Sequence, residues 1–191
     1  PERIKEYASL GAKFAKWRAV IDIGRAGNRA IPSYACINAN AHALARYAAI
    51  CVEGGIVPIV EPEVLMDGDH DIDVCAEVTE WVLKEVYQQL YYAKVPLEKT
   101  VLKPNMVISG KKAAKQASRE EVAEKTLVVL KRCVPTAVPG IAFLSGGQSD
   151  EDATAHLSIM NAMGPLPWTL PFSYGRALQA GEVGEVVTRS D

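Results

Sequence analysis

The sequence has no apolar run approaching the length of a membrane span, and its start carries no secretory signal pattern. Cysteine is scarce. Cys36, Cys51, Cys75 and Cys133 stand apart with no C-x-x-C among them, which leaves four reduced thiols in an intracellular protein as the expectation. Histidine is scarcer still. His42, His70 and His156 are scattered, whereas zinc sites usually bring two ligands close together in sequence, so no metal is expected. An excess of one charge sign is also missing. The net charge is −2 with acids and bases interspersed, which excludes the basic face that a nucleic-acid partner would need. There is no low-complexity tract, residue-level repeat or hairpin signal. The chain opens on Pro1-Glu2-Arg3 without an initiator methionine, so the expectation is a processed chain or a part of something longer.

What is present is ordinary in bulk and patterned in detail. The 191 residues are 49% apolar and 23% charged, enough for one globular domain with a sizeable core. Short apolar runs alternate with helix-period stretches. The runs are Phe14 to Ile23, Ile56 to Val60, Thr100 to Leu102, Gly140 to Leu144 and Trp168 to Phe172. Between them lie Ile37 to Glu53, Asp71 to Ala93, Ser118 to Cys133 and Asp150 to Met163. Asn38, Asp71 and Ser118 are candidate N-caps, and Ser118-Arg119-Glu120-Glu121 reads as a capping box. Val74, Val78, Trp81, Val82 and Val86 recur at helical spacing, and Gly54-Gly55 supplies a left-handed stop. Five strands joined by four complete helices predict parallel βαβ units.

Two architectures fit that alternation: an open doubly wound sheet or part of a (β/α)8 barrel. The open sheet usually carries a G-x-G-x-x-G loop after its first strand, and none follows Ile23. Polar residues instead close several different runs, which is the barrel habit, with chemistry at the C-terminal strand ends. The barrel is therefore the expectation.

The strand ends carry the candidate chemistry. Lys103 follows Val101-Leu102 inside a short strand, where an amine is costly unless paired or neutral. A paired or snorkelling lysine is one reading. A nucleophile for a carbonyl is the other, and it requires a free amine, which burial and nearby cations favour. Lys16 and Arg18 in the first run can supply those cations. Glu61 and Glu63 share a face if their strand stays extended. They suit general acid/base work, or an ion pair to Lys16 or Arg18. Ser145-Gly146-Gly147 and Ser173-Tyr174-Gly175-Arg176 offer backbone N–H groups, hydroxyls and a guanidinium to a phosphate. Asp69, Asp71, Asp73 and Glu80 imitate a calcium loop, but Val74 stands where its sharp turn needs glycine, so a helix start is the better reading.

These residues sit in stretches that resemble class I, Schiff-base fructose-1,6-bisphosphate aldolase of the animal and plant type. The stretches are Gly11 to Arg18 (GAKFAKWR), Gly55 to Leu65 (GIVPIVEPEVL), Leu102 to Met106 (LKPNM), Gly140 to Ser149 (GIAFLSGGQS) and Phe172 to Gln179 (FSYGRALQ). The likeness runs from about residue 5 to residue 180, with five motifs in order. It implies that Lys103 forms the imine, that Glu61 is the general acid/base, and that Glu63 is a supporting carboxylate. Lys16 would polarise substrate and Arg18 would shape the site near a phosphate. Ser145, Gly146, Ser173, Gly175 and Arg176 would hold the phosphate of the dihydroxyacetone half. It further implies no cofactor or metal, sugar phosphates as ligands, no nucleic-acid or membrane partner, a homotetramer and a cytoplasmic location. A transaldolase-like lysine-imine lyase and a catalytically silent remnant remain as alternatives.

The chain departs from that family at both ends. A complete member has eight strands and is nearly twice as long, so residues 1–180 correspond to strands four to eight of a partial barrel. The first three strands would bring an aspartate, another lysine and further phosphate contacts. Residues 181–191 (GEVGEVVTRSD) read as a divergent tail. Five strands of a barrel leave two open edges, so the chain alone is expected to be poorly soluble or inactive unless another polypeptide closes it.

Overall fold

The structure, a computed structural model, describes residues 1–174. Gly175, Arg176 and the tail 181–191 lie outside the described residues. Helix α1 (Glu2–Ser9) leads into strand β1 (Phe14–Ile21), a short β2 (Gly24–Ala26) and β3 (Arg29–Ile31), and helix α2 (Tyr34–Glu53). Strand β4 (Val57–Val64), helix α3 (Ile72–Tyr92), strand β5 (Val101–Leu102), helix α4 (Arg119–Cys133) and helix α5 (Asp150–Ala162) follow.

β1, β4 and β5 pair in that order and all run parallel. Parallel bridges Leu102–Ile141, Gly140–Thr169 and Phe143–Phe172 carry the array through two further extended segments. Five parallel positions in chain order, with helices between them, are an arc of a (β/α)8 barrel, as the alternation of runs and helices predicts. The apolar pattern explains the layering. In β4 the even positions Val60 and Val64 are buried in a cluster with Val78, Val82 and Val86 of α3 and Leu44, Ala48 and Cys51 of α2. The odd positions Glu61 and Glu63 therefore point to the barrel interior.

Several local expectations change. Ser33, not Asn38, caps α2: its side chain accepts from the Cys36 N–H, and the helix begins a turn earlier than its apolar spacing shows. Asn38 lies within the helix and donates to Glu85. Asp71 and Ser118 do cap α3 and α4, accepting from the Val74 and Glu121 N–H groups. Gly55 at φ 75° provides the left-handed stop after α2, while Gly54 does not. A hairpin does exist, β2 pairing antiparallel with β3 around Gly27-Asn28. Each strand is only three residues long, so alternation could not announce it. α1 precedes the first apolar run and has no fully buried residue to mark it. The apolar stripe of α3 also divides: Val78, Val82 and Val86 are buried, whereas Val74 and Trp81 face outward, Trp81 stacked on Tyr34.

Candidate active site

The second strand runs on to Val64, so both carboxylates stand inside it, and their burial is nearly complete: Glu61 is 3% and Glu63 4% exposed. Carboxylates taken out of water require cations, and the neighbouring strands supply them. Lys103 follows β5, and its N–H donates to the Val60 carbonyl at 2.8 Å, which sets it beside Glu61. Lys103 Nζ lies 3.3 Å from Glu61 Oε1, and Lys16 Nζ lies 3.1 Å from Glu61 Oε2. One carboxylate thus bridges two amines. The Lys16 contact is Coulombic in character, because Glu61 Oε2 is buried without an aligned hydrogen bond. Arg18 donates through Nε to Glu63, and that bond raises the guanidinium still further above its ordinary range.

Register explains the pairing. Arg18 stands opposite Glu61 and Val20 opposite Glu63, yet the long cationic side chains lean two residues up the strand to reach their partners. The exposure is lopsided: the side chain of Lys103 is 13% accessible, that of Lys16 45% and that of Arg18 43%. β1 is the edge of the described array, so its inward side chains have no strand beyond them.

The phosphate candidates arrive from the other side. Ser145, Gly146 and Ser173 line one cleft of about 210 Å3 together with Lys16, Arg18, Glu61, Glu63 and Lys103. Gly146 (φ 61°) and Gly147 (φ 87°) are successive left-handed residues, which turns the loop sharply over Leu144. The structure therefore gathers eight of the ten candidate residues. Gly175 and Arg176 fall outside the described residues. The acidic residues that imitate a calcium loop do not line this cleft: Asp71 caps α3, Asp73 pairs with Lys125, and Glu80 pairs with Lys84 and Arg132.

Asn105 is a residue that the motif spacing leaves without a role. Buried at 4% exposure, it accepts from the Val64 N–H through Oδ1 at 2.9 Å and donates to Thr79 and to the Met106 carbonyl. It ties the end of β4 to the segment after β5, and so fixes the spacing between Glu61 and Lys103. An asparagine within Pro104-Asn105-Met106-Val107-Ile108, otherwise apolar, is the signal that could have marked it.

An amine–carboxylate centre at the C-terminal strand ends of a parallel barrel, with a glycine-serine loop across the cleft, defines a (β/α) barrel of the lysine-centred kind. Residues 1–186 match the family model described as fructose-bisphosphate aldolase class-I. A probable fructose-bisphosphate aldolase class 1 from Xanthomonas campestris is 62% identical over 177 residues, covering 93% of this chain and 52% of the relative. Fructose-bisphosphate aldolase 1 of Toxoplasma gondii is 58% identical over 94% of this chain and 49% of its own length. The cytosolic fructose-bisphosphate aldolase 5 of Arabidopsis thaliana is 58% identical over 93% and 48% respectively. A solved structure of the Plasmodium falciparum aldolase, in complex with TRAP and a small-molecule inhibitor, superposes with a TM-score of 0.92 at 49% identity. It covers 96% of this chain and 52% of that one. The chain belongs to the class-I fructose-bisphosphate aldolase family. It spans about half the length of the curated relatives it matches.

Proposed function

We propose that this chain carries the imine-forming half of an enzyme that reversibly cleaves fructose 1,6-bisphosphate to dihydroxyacetone phosphate and glyceraldehyde 3-phosphate, a lyase step of glycolysis and gluconeogenesis. The observation that carries the reading is Glu61, buried and shared between Lys103 and Lys16. Lys103 Nζ attacks the ketone carbon of the sugar, and Glu61 supplies the proton with which the carbinol oxygen leaves as water. The resulting protonated imine at C2 draws in the electron pair of the C3–C4 bond, leaving an enamine on the dihydroxyacetone half. That bond breaks as a carboxylate takes the hydroxyl proton of the departing aldehyde, and protonation and hydrolysis of the enamine return the lysine. Lys16 stabilises oxygen charge as it develops, and Glu63 holds Arg18 in place near a phosphate. Ser145, Gly146 and Ser173, with Gly175 and Arg176, hold the phosphate of the dihydroxyacetone half.

The chemistry needs neither cofactor nor metal, and the ligands are sugar phosphates. Among the described residues no helix is long and apolar enough to cross a membrane. The cytosolic Arabidopsis relatives support a cytoplasmic location. Homo-oligomer formation, the tetramer of the resemblance, is supported by the outward face of α2, α3 and α4. There Tyr34, Val74, Trp81 and Val128 are exposed together with the paired charges of Glu80, Lys84 and Arg132.

Borohydride reduction with dihydroxyacetone phosphate tests the reading. The expected product is a covalent adduct on Lys103, absent from Lys103→Met. Intact folding with no adduct would instead establish a catalytically silent remnant.

A further inference from the structure

The phosphate loop needs an external tether. Gly146 and Gly147 both adopt left-handed backbone, a geometry of two residues with no side chains of their own to anchor it. The tether comes from behind. The Gln148 amide donates through Nε2 to the Ser145 carbonyl at 2.9 Å, and the Gln148 backbone N–H donates to the same carbonyl at 3.0 Å. The other end of the amide, Oε1, lies 2.7 Å from His156 Nδ1.

These contacts fix a proton. A carbonyl oxygen only accepts, so the NH2 group of Gln148 must face Ser145. Its Oε1 must then face His156, and an amide oxygen also only accepts. Nδ1 of His156 therefore carries the hydrogen, whatever the charge on the ring. His156 is 6% exposed and stands on α5, whose N-terminus is capped by Ser149 directly after the loop. One turn earlier on the same helix, the Ala153 carbonyl accepts from the Tyr174 hydroxyl at 2.9 Å, beside Ser173. Both phosphate arms are thus anchored on one helix.

We propose that His156 is a positioning residue: through Gln148 it holds the Ser145–Gly147 turn in its phosphate-binding shape. This rests on the phosphate reading given above. Burial pushes the His156 imidazole below its ordinary value of 6.5, against the pull of Asp152, so a neutral ring of one tautomer is the resident species.

The test uses the barrel-complete protein, with His156→Leu, His156→Asn and Gln148→Leu. Histidine nitrogen NMR of the native chain shows the Nδ1–H tautomer, and Gln148→Leu abolishes that preference. Exchange of the backbone N–H at position 148 accelerates in His156→Leu and Gln148→Leu but not in His156→Asn, whose amide donor replaces Nδ1–H. The dissociation constant for inorganic phosphate rises roughly three- to tenfold in the two leucine variants, as expected for one lost hydrogen bond, and returns in His156→Asn. An Nε2–H tautomer in the native chain overturns the proposal, as does native loop exchange in both leucine variants. If the native chain binds no phosphate, the phosphate reading fails, while tautomer and exchange still decide the tether. Should His156→Leu not fold, Gln148→Leu, altered at a half-buried loop residue rather than in the core, gives the same readouts.

Discussion

Glu61 has one charge and two cationic neighbours, so its replacement has two separable effects. Glu61→Gln is expected to lower cleavage roughly a hundred- to ten-thousandfold in the barrel-complete protein, the usual range for a lost general acid/base. It should also weaken folding, since Lys103 keeps a largely buried amine without its anion. Steady-state cleavage and chemical denaturation measure these separately. His70 gives a prediction of the opposite origin. It is 8% exposed with both ring nitrogens lacking hydrogen bonds. Burial pushes its imidazole below the ordinary 6.5, only partly countered by Asp69, Asp71 and Asp22. The unfolded chain then binds the proton more readily than the fold. Stability is full above pH 6.5 and falls as pH drops from there towards the lower folded value. Melting temperatures across that range should fall less steeply in His70→Asn. At this scale the sequence displays residue types but not their burial. Lys103 and Glu61 could be singled out because a charge interrupts an apolar run, whereas His70 lies among aspartates and His156 in a helical stretch of mixed polarity, and neither setting shows the burial.

The elements were legible where their periodicity is long and obscure where it is short. α3 and α4 combine apolar spacing with caps at Asp71 and Ser118. β2 and β3 are too short to alternate, and the two last barrel positions hold only isolated bridges. The cap of α2 was misplaced because Ser33 follows a proline, outside the apolar stretch, while Asn38 lies closer to its visible start. The loop between residues 145 and 148 turns on two successive left-handed glycines. Gly146→Ala would place a Cβ at φ 61° and 2.9 Å from Leu144 Cδ1. Left-handed backbone at a non-glycine residue costs about 1–2 kcal/mol. Urea unfolding should register that loss, with phosphate affinity falling further than stability alone would require.

For the whole molecule, the parallel arc follows from the order of strands and helices, but its open side is a property of space that no local pattern encodes. Phe14 is 63% and Val20 45% exposed on β1, and Phe172 is 53% exposed at the far position. These are surfaces that a closed barrel covers. The expected outcome is that the chain alone aggregates or fails to cleave fructose 1,6-bisphosphate, and gains both solubility and turnover when the remaining strands are supplied. Sedimentation together with a cleavage assay checks this, and a soluble, active monomer would sink it.

The parallel sense of all five positions has a consequence for symmetry. Two arcs meeting at like edges about a dyad would run antiparallel at the seam, against the ladder on either side. A dyad along the barrel axis would join unlike edges in the correct sense, but twice over, giving roughly ten strands where the fold closes at eight. Barrel diameter grows with strand number, so such a ring would draw the wall bearing Lys16 away from any group facing it across the lumen. Closure is thus a problem of counting: the complement of this arc is three strands, and a second copy of the arc cannot stand in for them.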